Sequence, residues 1–323
     1  MKNGQSANGN VCHDIVHYLS SDGHTQMHTE VWKSETERPR AILQITHGMQ
    51  EYIGRYADFA RFLAEKGFLV AGQDQLGHGH TARSAEELGY MGENPAELMV
   101  RDIQGLREML QEQYPDVPYF MLGHSMGSYL LRRYLCEYGS GLSGAIVMGT
   151  GQITGPAIHA ARAITRCLAA FRGWHHRSRL VSSLSTGSGP YTKFNLDGTK
   201  PENSWLTKDV EIVRKYYQDP FCTFTFTLNG YLALFDAVYY DGQAENVAKM
   251  PKDLPIYLVS GTDDPVGDMG EGVKKVYEAF RAAGIRDLSM KLFQGDRHEI
   301  LNETDREEVY LDMLRWMDSR IPQ

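Results

Sequence analysis

Short apolar runs recur along this chain with helically spaced stretches between them, and that rhythm limits the fold more than any single motif does. The runs are AILQITHG (residues 41–48), FLVAGQDQ (68–75), PYFML (118–122), GAIVMG (144–149), LPIYLVSG (254–261) and LSMKLFQG (288–295). Such short, continuously apolar runs mark strands buried on both faces, as in a parallel sheet. Between them, RYADFARFLAEKG (55–67), AELMVRDIQGLREMLQEQ (96–113) and GVKKVYEAFRAAG (272–284) read as helices, the second with Met99, Ile103, Leu106 and Leu110 on one face. Asn94, Pro95 and Glu97 supply that helix with an N-cap, a proline at N1 and an acid at N3, and Thr304-x-x-Glu307 reads as the capping box of a final helix. An N-terminal hairpin is expected over residues 15–32, turning at SDGH. The alternation predicts an α/β chain: a mostly parallel central sheet with helices on both faces.

The rhythm breaks from about Thr150 to Met250. Helical stretches such as IHAARAITRCLAAF (158–171) and a Gly/Ser/Thr-rich passage (182–205) occur there, but no buried strand is evident. The expected organisation is therefore a core in two parts, 1–150 and 251–323, interrupted by a helical cap insertion at 151–250. No internal repeat is visible.

One run leads into chemistry. In YFMLGHSMGSYLLRRYL (119–135), Ser125 lies between an apolar strand and a helix whose Met126, Leu130 and Tyr134 recur at four-residue spacing. A Gly-x-Ser-x-Gly match alone is weak in a chain with 32 glycines. At a strand-to-helix turn, however, the hydroxyl is held clear of the sheet and beside a helix N-terminus that favours negative charge. Serine is a poor nucleophile by itself, so acyl transfer needs a base within reach and a carboxylate to orient that base. Two later strands end in such groups: Asp263 and Asp264 follow LPIYLVSG, and His298 follows LSMKLFQG. The chain order of serine, aspartate and histidine is that of the α/β-hydrolases. An oxyanion would be held by two backbone amides, that of Met126 and that of Met49, which Gly48 lets the chain turn toward the site.

These features together resemble the monoglyceride lipase and lysophospholipase-like branch of the α/β-hydrolases, within the serine aminopeptidase-like hydrolases. The resemblance spans nearly the whole chain and rests on HGMQEYIGRY (47–56), DQLGHGHT (74–81), GHSMGS (123–128), SGTDDPVG (260–267) and GDRHEILNE (295–303). WLTKDVEIVRKYYQDP (205–220) looks like the cap of that branch. The resemblance implies an α/β-hydrolase fold and a serine carboxylester hydrolase cleaving monoacylglycerols or lysophospholipids through an acyl-enzyme. It selects Asp264 over Asp263 as the acid, leaving Asp263 a solvated turn residue, and it implies no cofactor. Met49 departs from the pattern, because many relatives carry a small residue after His-Gly; only its amide is needed, but the mouth of the site would be narrower.

Several residues have plainer readings. Asp74 also ends a strand, but before QLGHGHT it is expected to fix a loop. His78 and His80 raise the thought of a metal pair, yet without thiol or carboxylate ligands at a sensible spacing no metal is expected. His175 and His176 read as an exposed pair on the cap. The aromatic cluster YYQDPFCTFTFTLNGYLALF (216–235) is core-like, with part of it expected over the acyl pocket.

The formal net charge of −8 argues against nucleic acid and gives no attraction to an anionic surface. No apolar run is long enough to span a membrane, which leaves at most transient lipid contact through the cap, and the first residues lack a signal-like core. Four widely spaced cysteines fit reduced thiols in a cytoplasmic protein. Two rival functions stay open: an amidase or aminopeptidase-like enzyme, in which Glu202, Asp209 or Asp219 would hold a free amine, and a non-catalytic hydrolase fold used for ligand binding.

Overall fold

The computed structural model describes residues 11–153, 155–186 and 189–322. It contains an eight-stranded sheet built from β1 (Val11–Leu19), β2 (Gln26–Ser34), β3 (Ala41–Thr46), β4 (Phe68–Gln73), β5 (Tyr119–His124), β6 (Gly144–Met148), β7 (Ile256–Gly261) and β8 (Leu288–Phe293), in the order β1-β2-β4-β3-β5-β6-β7-β8. The β1–β2 hairpin is antiparallel and joins β4 antiparallel, while β3 to β8 run parallel. The α/β-hydrolase fold expected from the sequence is the fold observed.

Alternation along the strands feeds two apolar layers. Leu43, Ile45, Phe120 and Leu122 face one side, against helices α1 (Ala57–Ala64) and, near the C-terminus, α10 (Arg306–Asp318). Ile42, Tyr119, Met121 and Val147 face the other, against α2 (Pro95–Gln113), α3 (Met126–Tyr138) and α9 (Glu271–Ala282). Between β6 and β7 lie α4 (Pro156–Arg172), α5 (Arg179–Thr186), α6 (Val210–Gln218), α7 (Leu228–Asp241) and the short α8 (Ala244–Val247), with no strand among the described residues. Of these, α7 packs on both α2 and α3 and carries α4 on its other side.

One buried side chain ties the two ends of that insert together. From α3, Arg132 Nη1 donates to Gly151 O (2.9 Å) and Thr150 Oγ1 (3.2 Å), where the chain leaves the sheet. Its Nη2 donates to Gln152 Oε1 (2.8 Å), and its Nε lies 3.3 Å from Asp241 Oδ2 at the end of α7.

Of the two expected helix caps, the first holds by position, with Asn94 as the N-cap, Pro95 opening α2 and Glu97 in its first turn. The Asn94 side chain makes no capping bond, however, and the second cap does not form. Asn94 is in the left-handed region (φ 49°) and its side chain caps nothing; its carbonyl instead accepts the N–H groups of Glu97 and Leu98. The last helix opens after Asp305 with no side-chain cap, so Thr304 and Glu307 form no box. Just before it, the buried Glu303 carboxylate accepts the N–H groups of Arg297 and Lys208, which fixes the chain's entry and starts the helix one residue late.

Candidate active site

Parallel register brings the site together. Thr46 on β3 lies opposite Gly123 on β5, and His124 lies opposite Met148 on β6, so the segments beyond these strands open side by side at their carboxyl ends. Ser125 sits in that turn with φ 53° and ψ −121°, backbone angles that a side chain rarely tolerates. Its N–H donates to Met148 O (3.0 Å), and its carbonyl accepts from Ser128 N–H and Oγ. Close packing holds the turn in place: a Cβ on Gly127 would sit 2.1 Å from Thr46 O, so only glycine lets the helix approach β3.

The structure brings His298 and Asp264 together. His298 Nδ1 and Asp264 Oδ1 are 3.0 Å apart, and both side chains are buried. Asp264 also accepts Val266 N–H (2.9 Å) and Ser260 Oγ–H (2.8 Å). Burial pushes its carboxyl up, but His298 and these donors outweigh burial and hold it below the usual carboxylate range. Asp263 is half-buried and takes only the hydroxyl of Thr262. The His298 ring stacks against Trp205 (5.1 Å between centroids) and lies 4.6 Å from the ring of His124. Among the described residues, Ser125 Oγ has no hydrogen bond to His298, and both side chains line one cavity of about 390 Å³. Such links often tighten only when substrate is bound.

Met49 and Met126 line the same cavity, and the backbone N–H of neither has a protein acceptor among the described residues. Met126 is the first residue of α3, so its N–H points out of a helix N-terminus. Gly48 serves differently from expectation. The positive φ falls on Gln50 (56°), and Gly48 is needed because a Cβ there would lie 2.8 Å from Ser125 Cβ.

Beside the turn at Gly48 lies a buried charge network that the sequence did not announce. Glu51 Oε1 accepts Gly48 N–H (2.5 Å) and Tyr56 O–H (2.9 Å) and lies 3.0 Å from His124 Nδ1. Arg55 bridges Glu51 (3.0 Å) to Glu299, which it grips through two 2.7 Å bonds. Burial disfavours every charge here, but His124 and Arg55 hold Glu51 well below the carboxylate range, and Glu51 lifts His124 above the usual imidazole value. Two carboxylates thus face the Arg55 guanidinium and the His124 ring, and these pairings offset the burial. All four lie inside motifs quoted above, and the available signal was an arginine one helical turn after a glutamate beside His-Gly.

Apolar walls complete the cavity: Ile158, Ala161 and Leu184 from α4 and α5, and Leu234, Phe235 and Val238 from α7. Within the aromatic cluster, Tyr216 and Phe235 reach the cavity, whereas Phe224 and Phe226 pack against His78. Burial drives His78 down to about 3, and its ring hydrogen-bonds Leu76 O, while the ring of His80 packs beside those of His28 and Tyr52. Asp74 fixes its loop, accepting Ile53 N–H (2.8 Å) and His80 N–H (2.7 Å). His175 is exposed but stacked on Tyr90 at 3.9 Å, and His176 is half-buried, so the expected exposed pair is only partly so. None of Glu202, Asp209 and Asp219 lines the cavity; Asp209 caps α6 and Asp219 accepts the hydroxyl of Tyr52.

Comparison with known proteins gives consistent matches. A family described as serine aminopeptidase, S33 matches residues 37–305. The monoacylglycerol lipase of Mycolicibacterium smegmatis is 25% identical over 310 residues, 94% of this chain and 97% of that one. The monoglyceride lipase of Mus musculus is 25% identical over 95% of this chain and 91% of its own length. Among solved structures, a thermostable carboxyl esterase from Bacillus coagulans in complex with glycerol superposes with a TM-score of 0.87 at 31% identity, covering 96% of this chain and 99% of that one. A soluble variant of monoglyceride lipase from Saccharomyces cerevisiae, at 22% identity and full coverage of both chains, shares the fold with a TM-score of 0.76.

Proposed function

The chain belongs to the serine aminopeptidase S33 family of α/β-hydrolases, and from that premise we propose that it is a serine ester hydrolase acting on monoacylglycerols. The observation that carries this reading is the cavity that Ser125 and His298 line together with an apolar wall from the insert and polar side chains such as Gln50 and Gln152. One acyl chain fits the first surface and a small hydroxylated head group the second.

In the proposed mechanism, Ser125 Oγ attacks the ester carbonyl while His298 takes its proton, and Asp264 holds the imidazole in the tautomer that leaves Nε2 free. The amides of Met49 and Met126 receive the oxyanion, His298 protonates the departing alcohol, and water activated by the same histidine releases the fatty acid. No step calls for a cofactor. Residues 151–250 act as the cap that selects the acyl chain. Exposed Phe171, Leu180 and Leu184 on it, in a stretch (151–196) with no Asp or Glu, support transient contact with a lipid surface rather than insertion. No helix among the described residues is long and apolar enough to cross a membrane, and the four free cysteines fit the reducing cytoplasm.

Chain length is the direct test. Each CH₂ buried in the apolar wall contributes about 0.8 kcal/mol, so kcat/KM for monoacylglycerols from acetyl upward is expected to rise by up to roughly fourfold per carbon until the pocket is full. A decline from acetyl onward would make the protein a small-ester esterase. Faster cleavage of aminoacyl amides than of any ester would establish the amidase reading instead.

A further inference from the structure

The N-terminal hairpin and the loop after β4 enclose a second group of chemically able side chains, away from Ser125. His28 on β2, Asp74 at the end of β4 and His80 in the following turn each offer one ligand atom, and these atoms lie within 4.8 Å of one another. Asp74 Oδ2 and His80 Nδ1 are 3.4 Å apart. Two ligands about 2.05 Å from a tetrahedral Zn²⁺ are themselves about 3.4 Å apart. The backbone presets the group, because Asp74 N–H donates to His28 O (2.8 Å) and His28 N–H donates to Thr81 Oγ1 (2.9 Å).

A loop held by an Asp–His hydrogen bond explains two of these residues but not the third. The His28 side chain is only 8% exposed, its Nε2 is buried without a hydrogen-bond partner, and the nearest carboxylate atom in an ion-pair contact, Glu30 Oε1, is 3.6 Å away. A buried nitrogen left unpaired destabilises the fold unless something unseen satisfies it. We infer that His28, Asp74 and His80 form a binding site for a divalent transition-metal ion of the zinc class, with Glu30 beside it. Two imidazoles and a carboxylate suit Zn²⁺ rather than Ca²⁺ or Mg²⁺, which prefer all-oxygen shells. The His80 side chain, 52% exposed, gives the ion its entry path. Held there, the ion fastens the β1–β2 hairpin to the loop whose Asp74 anchors Ile53, so its effect is on stability rather than on the reacting atoms.

The test uses the full chain, stripped with chelator and titrated with ZnCl₂ by calorimetry, alongside thermal melts with and without Zn²⁺. One equivalent should bind and raise the melting temperature. His80→Ala, a half-exposed change that the fold should absorb, should weaken Zn²⁺ binding by more than about tenfold, the loss that even an outer-shell partner causes. His28→Gln should do the same, while His17→Ala, whose ring lies 5.6 Å from that of His28, should leave binding intact. Absence of a Zn²⁺-induced shift in the unaltered chain overturns the proposal. So does equal binding by His80→Ala, or loss of binding only in His298→Ala.

Discussion

Replacing Ser125 by alanine is expected to lower monoacylglycerol turnover by about six orders of magnitude and to abolish labelling by a fluorophosphonate probe. The fold should not suffer, because Ser125 holds its neighbours through backbone groups that alanine keeps. Ser125→Gly sharpens the test. At φ 53° and ψ −121° a side chain costs about 1–3 kcal/mol, while glycine adds back about 0.5–1 kcal/mol of unfolded-state entropy. The glycine variant should therefore be equally inactive yet more stable, by about 1 kcal/mol. Persistent labelling in the alanine variant would remove Ser125 from the nucleophile role. A glycine variant that melts below the parent would show that the turn is unstrained.

The second large effect is expected at Asp264. Asp264→Asn should cost about four orders of magnitude in turnover, because an amide facing His298 Nδ1 stabilises the wrong tautomer. Asp263→Asn should change turnover little, since the Asp263 carboxylate accepts only the hydroxyl of Thr262. The reverse result would move the acid by one residue. The sign of the pH effect follows from the lowered carboxyl of Asp264. Its folded value lies below the unfolded one of about 3.9, so its stabilisation is fully present above that pH and is lost only as acid drives it through the lower folded value. Circular dichroism on acidification should accordingly show Asp264→Asn losing less stability than the parent below about pH 4.

The sheet was legible because its buried strands are short and uniformly apolar, and six such runs reappear as β3 to β8. Ser125, Asp264 and His298 could be singled out as candidates for a related reason: each follows the carboxyl end of one of those strands. Capping was misread at Thr304, where local propensity lost to tertiary demands such as the burial of Glu303, whereas Asn94 sits at the expected N-cap position but uses its carbonyl rather than its side chain. The link from Glu51 through Arg55 to Glu299 spans 248 positions, from 51 to 299, and no local pattern announces a pairing of that separation. His28 was invisible as a ligand because β2 meets the Asp74 loop only through antiparallel pairing with β4.

The grip of Arg132 on Gly151 and Asp241 defines where this protein tolerates recombination. Residues 153–226 run between the exit at Gly151 and α7, so exchanging them for a relative's equivalent should give a folded chimera whose chain-length preference moves toward the donor's, because Ile158, Ala161 and Leu184 are exchanged while the wall on α7 stays. Extending the exchange through residue 242 replaces Asp241 along with α7, and where the donor has no acid at that place Arg132 loses the carboxylate that lies 3.3 Å from its Nε. The longer chimera should melt well below the shorter one. Equal melting temperatures would mean that the two crossover points are interchangeable and that the seam lies elsewhere.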